Sequence, residues 1–140
     1  MDAALLDRLE VRLAGALRDD ARRLDRTEAV ARVLLCLEPG TGTPMTEVAR
    51  RLGRDPSTAT RFVDRAVLEG LVMRQVGQRD RRRRLVALTP EGELARDALR
   101  SRRRERAEAV AEEILTKTGL VTGQVEWLLE ACADALTRDG

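Results

Sequence analysis

The stretch TEVARRLGRDPSTATRFVDRAVLEG, residues 46–70, constrains the fold more than any other part of this chain. Two short apolar periodicities run through it, and the break between them is long enough only for a turn. Val48, Ala49 and Leu52 recur at helical spacing, and Thr46 can cap that first helix. Gly53 ends it, because glycine tolerates the left-handed backbone a helix stop requires. Pro56 at a first helical position, with Ser57 and Thr58 behind it, opens a second helix. Its inward stripe is Ala59, Phe62, Val63, Ala66 and Val67, and Gly70 closes it. Two short helices across a tight glycine turn form a helix-turn-helix.

The flanking segments extend this unit on both sides. LVMRQV (71–76) and RLVAL (84–88) are short Val/Leu-rich runs around Gly77, which predicts a two-stranded hairpin. Upstream, Thr27 and Glu28 start a helix carrying Val30, Val33, Leu34 and Leu37, and the turn-rich Pro39–Pro44 segment stops it. Before it, Leu6, Leu9, Leu13, Leu17 and Leu24 mark an amphipathic helix over 3–24. Downstream, Thr89-Pro90-Glu91 opens a long helix. Leu94 and Ala98 give it an inward stripe, RSRRRER (100–106) is polar all round, and Val110, Ala111, Ile114 and Leu115 restore the stripe. A final helix from Thr122 carries Val125, Leu128, Leu129, Cys132 and Leu136 on one side.

The fold class is therefore mainly α with a small β-hairpin: a winged helix-turn-helix domain with added N- and C-terminal helices. We divide the 140 residues, one domain, into a winged-helix lobe (28–92), a long linking helix (91–118) and terminal helices (1–26 and 105–140). The stripes Leu6, Leu9, Leu13, Leu17 and Val125, Leu128, Cys132, Leu136 lack an obvious partner within the chain. Apolar stripes of that length mark a dimer interface.

Charge points to the partner. Arginine fills five of the six positions from Arg79 to Arg84, the exception being Asp80. From Arg50 to Arg84 there are 11 basic residues against four acids, a local net of +7 in a chain of net +2. Basic charge gathered into one quarter of a chain is the footprint of a polyanion-binding surface. With the apolar stripe facing the core, the second helix turns Ser57, Thr58, Thr60, Arg61, Asp64 and Arg65 outward. Short hydroxyls and arginine suit base edges and phosphates in a major groove. Arg54 in the preceding turn, and Arg79, Arg81, Arg83 and Arg84 in the hairpin loop, supply further neutralisation. A loop beside a groove-bound helix lies over the neighbouring minor groove, where the potential attracts arginine. Asp80 can pair with Arg82 and fix its aim there.

The region Met45 to Gly92 resembles the MarR (multiple antibiotic resistance regulator) family of winged-helix transcription factors. The resemblance rests on MTEVARRLGRDPSTATRFVDRAVLEGLVMR, the wing signature Asp80-Arg81-Arg82 and the exit VALTPEG. It implies a cytoplasmic homodimer clasped by terminal helices and binding pseudo-palindromic double-stranded DNA, most simply as a repressor. It makes Asp80 and Arg82 the wing pair, and Ser57, Thr58, Thr60 and Arg61 the recognition-helix contacts. Many such proteins also take a small-molecule effector between their lobes or sense oxidants. This chain departs from that pattern, with no Tyr, no His, one Phe and one Trp, and with no cysteine in its first helix.

Other classes find less support. A winged-helix scaffold without DNA binding has no need of +7 around its wing. An enzyme would need groups the sequence lacks, namely histidine, a glycine-rich phosphate loop or paired cleft carboxylates. No cofactor or metal is implied, since a structural zinc site takes about four nitrogen or sulfur ligands. Cys36 and Cys132 read as buried small hydrophobes. Mean hydropathy is −0.35, and no apolar run approaches the roughly 20 residues of a membrane span.

Overall fold

The computed structural model describes residues 3–77 and 83–137, with side chains of 3–10, 13, 14 and 132–137 left out. The order is α1 (Ala3–Arg23), α2 (Glu28–Cys36), β1 (Thr43–Pro44), α3 (Met45–Leu52), α4 (Pro56–Leu68), β2 (Val72–Val76), β3 (Arg84–Leu88), α5 (Pro90–Thr118) and α6 (Thr122–Thr137). These form two compact units, Met1–Ser101 and Arg102–Gly140. No described helix is long and apolar enough to cross a membrane.

The first unit is built around α2. Thr27 caps it from extended backbone, accepting a hydrogen bond from the Val30 amide at 3.4 Å. Four of its nine residues, Val30, Ala31, Val33 and Leu34, are fully buried. A helix so covered must be packed on several sides, and α1, α3 and α4 all pack against it. From α4, Ala59, Val63 and Ala66 point into the same core, joined by Leu71 just before β2 and by Val72, Val86 and Leu88 from the sheet. The predicted stripe of α4 is thus narrower than expected. Phe62 is half-buried, and Val67, at its rim, is 37% exposed.

Leu17 also belongs to this core, with Ala21 beside it in the cluster. The second half of α1 therefore packs into the winged-helix core. A side chain 7% exposed within its own chain has little surface left for a partner, which removes Leu17 from the expected seam. Val125, 3% exposed, is removed for the same reason.

Three local expectations change. Thr46 does not cap α3: the helix starts two residues earlier than that cap implies, with Pro44 at the cap position and no side-chain cap bond. Within the loop read as turn throughout, Thr43 and Pro44 form a third strand. The sheet order is β1-β3-β2, all antiparallel, with Thr43 opposite Val86 and Val72 opposite Leu88. A two-residue strand has no periodicity of its own and exists only because β3 offers it an edge.

The third change is the inward face of α5. Leu94 is 72% exposed, whereas Gly92, Arg96 and Leu99 are buried. The junction before the helix sets that rotation. Thr89 donates its hydroxyl to the Gly70 carbonyl at 2.7 Å and its amide to the Leu71 carbonyl at 3.0 Å. The same hydroxyl accepts the Gly92 amide at 3.0 Å, capping α5. Gly92 is pressed so closely on Leu71 that an added Cβ would overlap the Leu71 carbonyl oxygen. With Gly92 turned inward, Arg96 and Leu99 follow at helical spacing.

Candidate nucleic-acid interface

Gly53 and Asp55 place the second helix of the motif. Gly53 takes φ 59° and ψ 38°, and its amide closes onto the carbonyls of Ala49 and Arg50. Asp55 caps α4 from extended backbone: its Oδ1 accepts the Thr58 amide at 2.9 Å and the Ser57 hydroxyl at 2.6 Å. The Ser57 hydroxyl above all, then the Thr58 hydroxyl and amide, hold the Asp55 carboxyl well below the usual carboxylate range. The helix N-terminus is thus occupied by an acid of the chain itself. An acid there competes with any phosphate that approaches the helix end beside Ser57 and Thr58.

Successive residues turn by about 100°, so the line opposite the buried Ala59, Val63 and Ala66 runs Ser57, Arg61, Asp64, Leu68. Ser57, Arg61 and Leu68 are exposed, Leu68 by 82%, and Asp64 is half-buried. Thr58, Thr60 and Arg65 flank that line. Thr60 donates its hydroxyl back to the Pro56 carbonyl at 2.8 Å. Arg61 lays its Nη2 3.3 Å from Thr58 Oγ1, a contact weak enough to yield to a stronger acceptor.

The arginines divide into two sets. Arg50 and Arg51 both pair with Glu47, which their guanidinium hydrogen bonds pull down to about 2. Arg51 also donates to the Cys36 carbonyl at 2.9 Å. Arg65 pairs with Glu69 at 3.0 Å, and Arg74 of β2 with Asp64 of α4 at 2.6 Å. By contrast, Arg54, Arg83 and Arg84 are exposed and make no side-chain ion pair among the described residues. With Arg61 they are cations of the 50–84 region that carry no ion pair among the described residues. Arg79, Asp80, Arg81 and Arg82 lie outside the described residues, and with them the expected Asp80–Arg82 pair.

Sequence reasoning missed Asp55, Glu69 and the Asp64–Arg74 bridge. The first was readable, since Asp before Pro at a helix start is a cap signal. The bridge joins residues ten apart on different elements and has no local signature. Glu69, at the end of α4, has Oε1 on Arg65 and Oε2 buried without a hydrogen bond, 3.8 Å from Arg26.

A helix-turn-helix followed by an antiparallel hairpin, with unpaired arginines on the helix and at the hairpin's end, defines a winged helix of the DNA-binding kind. Residues 27–83 match the profile of the MarR family. The solved structures agree over nearly the whole chain. A MarR-family transcriptional regulator from Rhodococcus sp. RHA1 is 26% identical, with 95% of this chain and 90% of that one covered and a TM-score of 0.73. CouR from Rhodococcus jostii RHA1, solved bound to p-coumaroyl-CoA, is 25% identical over 97% and 91%, with a TM-score of 0.72. MepR from S. aureus, in its DNA-binding conformation, shares the fold at 18% identity, with 99% and 98% covered and a TM-score of 0.79. No curated protein sequence matches. The winged-helix region of the chain thus matches the MarR family, and over nearly its whole length the chain is similar to a transcriptional regulator of that family.

Proposed function

We propose that the protein is a dimeric repressor that occupies a pseudo-palindromic operator, with α4 in the major groove and the 77–84 loop on the adjacent minor groove. One observation carries the reading. The outward face of α4 offers Ser57, Thr58, Thr60 and Arg61, and Arg54, Arg83 and Arg84 make no ion pair among the described residues, while other arginines of the region are held by the chain's own acids. Groove geometry admits such a helix, and the flanking cations neutralise backbone phosphates.

In this reading Arg82 enters the minor groove and Asp80 aims it. Arg82→Ala then weakens specific binding by about 1–3 kcal/mol. Asp80→Ala separates aiming from mere charge: aiming predicts weaker specific and stronger non-specific binding. Parallel tightening of both, measured at two salt concentrations, would remove the pair from the mechanism. The dimer is supported by exposed apolar side chains outside the lobe core, namely Val11, Val110, Trp127, Leu128 and Leu129. Leu6, Leu9, Leu13, Cys132 and Leu136 are proposed to join them. The chromosome as target places the protein in the cytoplasm. Since CouR was solved with an acyl-CoA, release of operator DNA by acyl-CoA thioesters is the direct assay for an effector.

The deciding experiment is selection of bound sequences from random DNA by the purified protein. An inverted repeat supports the reading. Recovery of no preferred sequence, with retention on heparin alone, would reduce the protein to a non-specific polyanion binder.

A further inference from the structure

The three hydroxyls of α4 are not equivalent, because the chain fixes the sense of each. A freely rotating hydroxyl donates or accepts as needed and so discriminates little between bases. Ser57 is not free. Its Oγ lies 2.6 Å from Asp55 Oδ1, and an ionised carboxylate has no hydrogen to give. The Ser57 hydrogen therefore points at Asp55, leaving only lone pairs for a partner outside the chain. Thr60 is spent in the same sense on the Pro56 carbonyl. Thr58 is engaged on both sides: its hydroxyl also bonds the Asp55 carboxylate, and its oxygen accepts from Arg61. Of the three, Ser57 alone sits on the central line opposite the core.

In a major groove the donors are adenine N6 and cytosine N4, and the acceptors are guanine O6 and N7, adenine N7 and thymine O4. We infer that Ser57, held by Asp55, selects an amino-bearing base, adenine or cytosine, on the strand it faces. This rests on the proposed seating of α4 in the major groove. A keto oxygen opposite Ser57 would meet another acceptor, and relieving that contact means breaking the charge-assisted bond to Asp55. Asp55 is then a positioning residue. That gives a reason for an acid at the leading end of a helix that meets a polyanion, where charge alone would only repel. The capping bonds keep it ionised, so the sense of the Ser57 hydroxyl does not change over the neutral range.

The test couples one protein group to one base group. Sequences are selected with the wild type and with Ser57→Ala, and the base pair whose preference the variant loses is identified. Operators are then made with single atoms removed at that pair. Purine for adenine, or 2-pyrimidinone for cytosine, deletes the amino group, and a 7-deaza purine deletes the N7 acceptor. Amino deletion should cost the wild type about tenfold in affinity and Ser57→Ala less than about twofold, with the 7-deaza change near neutral for both. Inverting the pair should cost the wild type about tenfold and Asp55→Gly much less. Glycine remains an acceptable cap and frees the serine hydrogen, so that variant tests polarity rather than folding. The inference is overturned if the loss follows N7, if amino deletion costs wild type and Ser57→Ala equally, or if Ser57→Ala keeps the wild-type consensus. If the wild type selects no sequence at all, the seating of α4 has failed instead, and the inference goes with it.

Discussion

Cys36 donates its thiol to the Val33 carbonyl at 3.2 Å. Burial pushes the thiol up to about 11 from an ordinary 9.0, and the nearby Arg51 charge offsets that only in part. Since the thiolate is the reactive form, Cys36 should resist alkylation and mild peroxide at neutral pH until the chain unfolds. Labelling of a Cys132→Ser background checks this, and rapid native modification would contradict it. The sign of the pH effect follows from the raised value. The folded state holds the proton more tightly than the unfolded one, so this contribution is complete below about pH 9 and disappears as pH rises through about 11. The wild type should lose stability across that window, and a Cys36→Ala variant should lose less. Arg96 presents a different balance. Its side chain is 3% exposed, yet its partner Glu38 is 59% exposed, and Arg96 Nε is buried without a hydrogen bond. Burial of its stem should therefore matter more than the ion pair. Arg96→Ala should cost about 2–4 kcal/mol and Glu38→Gln less than about 1, by denaturant titration.

At the scale of elements, the junction of α4, β2 and α5 brings Gly92 directly against the Leu71 backbone. Because the Leu71 carbonyl leaves no room for a Cβ at residue 92, Gly92→Ala must shift α5 or break the Thr89 cap. A loss of several kcal/mol is expected, with the unfolding midpoint falling accordingly. Gly119→Ala is a useful control: it sits at φ 69° but meets nothing within 4 Å. Its cost should stay near about 1 kcal/mol, the strain of a left-handed residue alone. Equal effects of the two substitutions would show that close packing at residue 92 contributes little. The Asp64–Arg74 pair links the recognition helix to the first wing strand at 2.6 Å, with both side chains nearly half exposed. Such a pair adds little stability, so Arg74→Ala should leave the unfolding midpoint within about 0.5–1 kcal/mol of wild type.

For the whole molecule, the proposal requires two-fold symmetry in both protein and DNA. Light scattering should report a dimer at micromolar concentration, and a stable folded monomer would remove the basis for a clasped pair. Selected sites should be inverted repeats, with half-site centres about 10–10.5 base pairs, or one helical turn, apart. Direct repeats or isolated half-sites would contradict the symmetry. Charge sets a further expectation. Arg54, Arg83 and Arg84 make no ion pair among the described residues, so each alanine substitution should weaken all sequences alike and lower the salt slope by about 1. Arg65→Ala, whose guanidinium is already held by Glu69, should lower it less.

The sequence by itself determined the order of the helices, the turn at Gly53, the helix start at Thr27, the hairpin strands and the basic region. Each is encoded locally: helical period, left-handed tolerance, a hydroxyl before an apolar run, and charge density are properties of neighbouring residues. Only the tertiary structure decided which way α5 faces, that Leu17 is core, that Thr43 and Pro44 pair with β3, and which arginines are free. Those outcomes depend on what lies across a contact. Leu94 and Leu99 are the same residue type on one helix, and the close approach of Gly92 to Leu71 goes with one outward and the other inward. Arg65 and Arg61 read alike along the chain, but a carboxylate four residues on holds the first and only a threonine hydroxyl touches the second. Periodicity can say that a helix has an inside. Its partner's shape and charge settle which residues are there.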